Sequence, residues 1–174
     1  MSEAKQGRAR ASLPALASGW RWLPLSALVI VADHAAKAWI MHHFALFERV
    51  HVLPVLDIIL TYNTGAAFSF LAQASGWQRW VFVTLAFAIT ALIVVWLARM
   101  PATGGRPVAA GLALVAGGAV GNVADRLMHG YVVDFLQFHW QGWFFPAFNL
   151  ADSAITVGAA LLILDGVLLS RRVK

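Results

Sequence analysis

The chemistry open to this chain is narrow. It has no cysteine, so a hydrolytic nucleophile must be serine, threonine, or a water activated by carboxylates or a metal. A serine–lysine dyad would need Ser69 or Ser153 beside Lys37, and nothing in the spacing supports it. The histidines His34, His42, His43, His51, His129 and His139 contain no HExxH pattern, and the neighbours His42 and His43 face different ways on a helix. No catalytic metal is therefore expected. Paired carboxylates remain, and Asp134 and Asp152 are the candidates, since neither has an obvious basic partner in its own segment. Two carboxylates sharing one proton activate a water for attack on an amide while the protonated member assists the carbonyl oxygen. Gly142 and Pro146 interrupt any continuous helix between the two, so only the fold can pair them.

Other polar residues gather around this pair. Asp33 and Lys37, at i, i+4, read as a structural ion pair on one helix face. Asn122 and Arg126 share that spacing. Asp125 beside them reads as a brace for the adjoining chain, whereas the forked donors of Arg126 suit a substrate carbonyl or a lipid phosphate equally. Asn149, three residues before Asp152 and just after Pro146, reads as a helix N-cap. Asn63 comes from a separate segment. Asp165 is assigned a topological or pairing role with Arg171 and Arg172.

Elements that must position these residues are membrane helices. The chain is 60% hydrophobic and only 12% charged, which leaves too little polar surface to cover a soluble core. The net charge of +5 does not point to nucleic acid, because the cations lie at the ends of apolar segments. Residues 1–18 form a basic cytoplasmic tail, and 19–172 a single membrane domain with helices at about 20–41, 79–99, 107–127 and 147–170. The first apolar segment runs straight into Asp33 and Lys37 without a small-residue cleavage site, and three further spans follow, so it is read as a retained helix rather than a secretory leader. Gly111, Gly117, Gly118 and Gly121 give the third helix a face for close contact. Nine of the 13 Lys and Arg residues fall on one side of a four-span topology, which puts both termini in the cytoplasm. The outer segments are then 42–78, with strand-like stretches at 50–55 and 57–62, and the aromatic-rich 128–146. This topology brings the polar residues to one depth near the outer interface, and ionisable groups at membrane depth mark a functional site or a buried ion pair.

At this point the sequence resembles the bacterial lipoprotein signal peptidases, the signal peptidase II family, over nearly its whole length after the tail. The resemblance is carried by DHAAK (33–37), NTGAAFS (63–69), GGAVGNVADR running on to VVDF (117–135) and FNLAD (148–152), four motifs in order. It implies an all-α polytopic membrane protein of four transmembrane helices, with a small β-rich outer (periplasmic) cradle and a short outer helix or loop. The implied activity is removal of the signal peptide from a prolipoprotein carrying diacylglycerol, with the cut before the lipidated cysteine. Asp134 and Asp152 would be catalytic. Asn63, Gly65, Asn122, Arg126 and Asn149 would line or order the substrate site, with Asp33, Lys37 and Asp125 in support. Lipidated prolipoprotein and membrane lipid are the expected partners of a monomer in the inner membrane, its site near the periplasmic face.

Two rivals fit composition and helix number. A small transporter or proton channel requires polar residues distributed through the membrane depth, and the second helix and most of the third have none. A non-catalytic scaffold would use the Gly-rich helix for subunit contact.

Overall fold

The structure, a computed structural model, describes residues 19–65, 76–100 and 105–172. A 3-10 turn (Gly19–Trp22) leads into α1 (Leu23–His43). The strands β1 (Arg49–Leu53) and β2 (Leu56–Asn63) follow, then α2 (Trp77–Arg99) and α3 (Arg106–His129). After β3 (Val132–Trp140) and β4 (Trp143–Phe144), the chain closes with α4 (Leu150–Arg172). The expected basic tail lies outside the described residues.

All four helices are long and apolar enough to cross a membrane. A helix of 23 residues, such as α2, spans about 35 Å at about 1.5 Å per residue, sufficient for the hydrocarbon core. Their limits follow local signals. Prolines occupy the first turns of α1 and α3, where the missing N–H would lack an intrahelical acceptor in any case. Gly130 ends α3 in the left-handed region (φ 85°), and its N–H bonds the Arg126 carbonyl, which carries α3 beyond the expected limit of 127.

Helix α3 is the hub. It packs against α1, α2 and α4, and most of its length is buried, whereas α2 and α4 turn Leu85, Phe87, Leu92, Ile163 and Leu164 outward, as lipid contact requires. The glycine face predicted from sequence is the reason the helices approach so closely. A Cβ on Gly118 would overlap the Ala151 carbonyl of α4, and one on Gly117 would meet Ser26 of α1. The Ser26 hydroxyl also donates to the Ala113 carbonyl at 2.7 Å.

The expected cradle is a sheet of order β1-β2-β3-β4, its neighbours antiparallel. It draws on both segments read from sequence as outer. The 128–146 stretch, read from its aromatics as interfacial, pairs as a strand with β2, from Leu56 opposite Phe138 to Asn63 opposite Val132. Strand β1 is exposed throughout, while β2 and β3 bury Leu60, Val133 and Phe135 against Ile40 at the end of α1. That apolar cluster seats the sheet on the helices. The irregular stretch 145–149 then returns the chain to the membrane, with Phe148 bridged to Leu136.

Candidate active site

Asp33 and Lys37 lie in the second half of α1, Asn122, Asp125 and Arg126 in the last turns of α3, and Asn149 and Asp152 at the start of α4. These three helix ends converge beneath β2 and β3, which bring Asn63 and Asp134. The sequence-based candidates thus assemble into one network, and each has a definite place in it.

Asp134 projects from β3 and is buried. Its Oδ1 accepts from the Asn149 amide at 2.7 Å, and its Oδ2 accepts from Asn63 Nδ2 at 3.1 Å. The Asp152 Oδ1 accepts from Asn122 Nδ2 at 2.7 Å, and its Oδ2 takes the backbone N–H of Asn149 at 3.3 Å. Asn149 Oδ1 in turn accepts the Asp152 N–H at 2.8 Å, so these two residues form a reciprocal cap on α4. The expected N-cap role of Asn149 is present, and the residue also ties the two aspartates together. Its Nδ2 lies 3.2 Å from both Asn122 Oδ1 and the Val133 carbonyl.

Burial raises the Asp134 carboxyl from 3.8 to about 7, and the nearby charge of Asp152 adds to the rise; hydrogen bonds from Asn63 and Asn149 and the charge of Lys37 oppose it. Asp134 is therefore poised to hold a proton near neutral pH while facing a second carboxylate.

Behind the pair sits a buried ion cluster. Lys37 Nζ lies 2.6 Å from Asp33 Oδ2, 2.8 Å from Asp125 Oδ2 and 3.2 Å from Asn122 Oδ1, and the side chain is 1% exposed. Each aspartate also anchors backbone: Asp33 accepts the Ala151 N–H at 3.0 Å, and Asp125 the Val133 N–H at 3.0 Å. The cluster fixes α4 to α1 and β3 to α3 immediately beside Asp152 and Asp134. Asp33, Lys37 and Asp125, expected as support, thus form a buried ion cluster that holds backbone beside the pair. His34, not singled out from sequence, adds a further cationic neighbour to Asp125 at 3.6 Å when protonated.

Arg126 donates to the Gly65 carbonyl at 3.0 Å and the Asn122 carbonyl at 3.3 Å, with its guanidinium 5.1 Å from the centre of the Phe82 ring. Asn63 Oδ1 accepts the Gly65 N–H at 2.9 Å, the local side-chain turn by which asparagine orders a bend. Arg126 and Asn63 together hold the chain at Gly65 over the site. The serine–lysine alternative finds no support at Ser153, whose hydroxyl donates to the Asn149 carbonyl while Lys37 is committed to its ion cluster. Ser69 lies outside the described residues.

Both carboxylates open onto a cleft of about 980 Å³. Its walls include Asn63, Asn122 and Arg126 on the polar side and Phe138, Phe145 and Val157 on the apolar side. Sequence reasoning missed Thr61, Tyr62 and Gln137, which also line it; Thr61 alternates with Ile59 and Asn63 along β2, but the three come together only once β2 and β3 pair.

Residues 25–168 match the family described as Signal peptidase (SPase) II. A lipoprotein signal peptidase of Yersinia enterocolitica is 48% identical over 155 residues, covering 89% of this chain and 91% of that protein. One of Pseudomonas paraeruginosa is 53% identical over 146 residues, covering 83% and 86%. Among solved structures, a bacterial membrane enzyme superposes with a TM-score of 0.79 at 28% identity, over 88% of this chain and 92% of its own. A chain matched over most of its length by the family profile and by such relatives belongs to the signal peptidase II family.

Proposed function

We propose that this membrane peptidase removes signal peptides from prolipoproteins by an aspartic mechanism in which Asp134 and Asp152 act as one unit. The observation that carries the reading is the buried Asn149 side chain, which donates to the Asp134 carboxylate and accepts the Asp152 N–H, behind two aspartates that both line one largely apolar cleft. The proton held by Asp134 polarises the scissile carbonyl oxygen, and the Asp152 carboxylate takes a proton from the attacking water. The tetrahedral intermediate collapses with proton transfer to the leaving amine. Asn63, Asn122 and Asn149 donate to the carboxylates and fix their orientation, and Arg126 with Gly65 holds the wall along which the substrate backbone lies. A metal or organic cofactor has no part in this scheme.

The substrate is a prolipoprotein carrying diacylglycerol, cut before the lipidated cysteine. Support comes from the cleft's apolar wall on α4, which adjoins the lipid-facing surface, and from the names of the relatives. Each buried methylene is worth about 0.8 kcal/mol, so two acyl chains dominate docking. We place the enzyme in the inner membrane as a monomer, one membrane domain over 19–172 with both termini cytoplasmic and the site near the periplasmic face. The nine-to-four division of Lys and Arg supports that orientation. The deciding experiment compares one lipidated prolipoprotein with its unlipidated twin, using purified protein in lipid or detergent. Cleavage confined to the lipidated form is expected; equal rates would make the protein a general intramembrane aspartic peptidase.

A further inference from the structure

The outer sheet carries a second cluster of chemically capable side chains, away from the carboxylate pair. His51 on β1 stands directly opposite Asp57 on β2, and Asp57 stands opposite Gln137 on β3. His139, two residues beyond Gln137, therefore shares the Asp57 face. The three converge: His51 Nδ1 lies 2.5 Å and His139 Nε2 3.0 Å from the same oxygen, Asp57 Oδ1, and the candidate ligand atoms all fall within 4.8 Å of one another.

We propose that His51, Asp57 and His139 form a binding site for one divalent transition-metal ion of the zinc class. Two features favour a metal over a simple hydrogen-bonded clamp. Asp57 is fully buried with two imidazole nitrogens against one of its oxygens, and His139 Nε2, although 3.0 Å from Oδ1, makes no hydrogen bond. Two imidazole nitrogens crowd one carboxylate oxygen, and only that of His51 is aligned to hydrogen-bond it; a shared point to which all three donate satisfies both rings. Tetrahedral coordination at about 2.0–2.2 Å sets ligand atoms about 3.3 Å apart, a small outward adjustment that His51, 71% exposed, is free to make. That exposure also leaves a fourth position for water.

The donor set fixes the class of ion. Two imidazoles and one carboxylate, with no thiolate, suit zinc, cobalt or nickel rather than calcium or magnesium. Among the described residues, Arg49 is the cation that approaches Asp57. Its Nε sits 3.7 Å from Asp57 Oδ2 and its guanidinium 4.4 Å from the centre of the Phe144 ring, so it engages the oxygen that the ion does not use. A bound ion would staple β1 and β2 to β3 at the end of the strand remote from Asp134, about 17 Å away along five residues. Because Gln137 and Phe138 line the cleft, the staple would stiffen the wall over the substrate without touching the reacting groups.

The test is titration of tag-free, chelator-washed protein in detergent with cobalt(II), followed by visible absorption, and with zinc by calorimetry and thermal unfolding. One equivalent should bind in the micromolar range or tighter and raise the unfolding midpoint. His51→Ala, a change at an exposed side chain, should weaken binding at least about tenfold and abolish the zinc-induced rise. His42→Ala/His43→Ala should retain both. Absence of one-equivalent binding, equal binding by wild type and His51→Ala, or loss of binding in the His42/His43 variant instead would each overturn the proposal.

Discussion

Replacing Asp134 with asparagine separates the cost of a buried carboxylate from its use. The wild-type group titrates at about 7 when folded and 3.8 when unfolded. A raised folded pKa contributes stability that is complete below about pH 4 and is lost as pH climbs through about 7. With about 1.4 kcal/mol per unit, the loss is about 1.7 kcal/mol at pH 5 and about 4 kcal/mol at pH 8, a difference of about 2.5 kcal/mol. The substituted amide does not ionise, so the variant escapes that loss. It does mispair one of the amides of Asn63 and Asn149, at about 1–3 kcal/mol, but this penalty is the same at both pH values. Thermal unfolding of both proteins in one detergent at pH 5 and pH 8 therefore isolates the carboxylate as a difference of differences. At about 2–4 °C per kcal/mol, the midpoint of Asp134→Asn should gain about 5–10 °C on wild type between the two conditions. A pH-independent gap would mean that Asp134 ionises normally and would refute the proton it is asked to hold.

Cleavage by Asp134→Asn or Asp152→Asn, per folded molecule, should fall at least about a thousandfold, and the double variant should be scarcely slower than either, because half a dyad cannot activate water. The wild-type pH–rate profile should be bell-shaped, with an alkaline limb near 7 that belongs to the pair and not to one residue. Lys37→Met leaves Asp33 and Asp125 as buried, uncompensated charges and should destabilise by about 3–5 kcal/mol, read as a lowered unfolding midpoint, with partial turnover retained in the folded fraction. Gly118→Val should prevent α3 and α4 from closing at Ala151 and appear as loss of monodisperse protein on size exclusion.

Much of this arrangement was legible in the residues because membrane proteins place their rare polar groups under strong constraint. The uncharged run of α2, the glycines of α3 and the i, i+4 pair Asp33 and Lys37 each act through one helix, whose periodicity a sequence displays directly. The second outer segment was harder. Val132 to Trp140 is rich in strand formers, but its aromatics also fit a membrane interface, and composition does not choose between the two until β2 offers a partner edge. Asn149 was seen as a cap but not as the bridge between aspartates, since Asp134 reaches it only through a strand that pairs with a distant hairpin. The same holds for His51, Asp57 and His139, which no single segment unites.

The two carboxylates ride on different kinds of mount, Asp134 on a strand of the sheet and Asp152 on a membrane helix. Near the pair, Asn149 at the head of that helix joins the two mounts through the Val133 carbonyl and the Asp134 carboxylate, Phe148 pairs by backbone with Phe135 and Leu136, and the Val133 N–H ties the strand to Asp125 of α3. Small molecules thus have two ways to silence the enzyme. One fills the cleft in competition with substrate. The other works as a wedge at the Val133 seam, prising the strand from the helix ends; it leaves the cleft empty yet unmakes the dyad, and no rise in substrate concentration would reverse it.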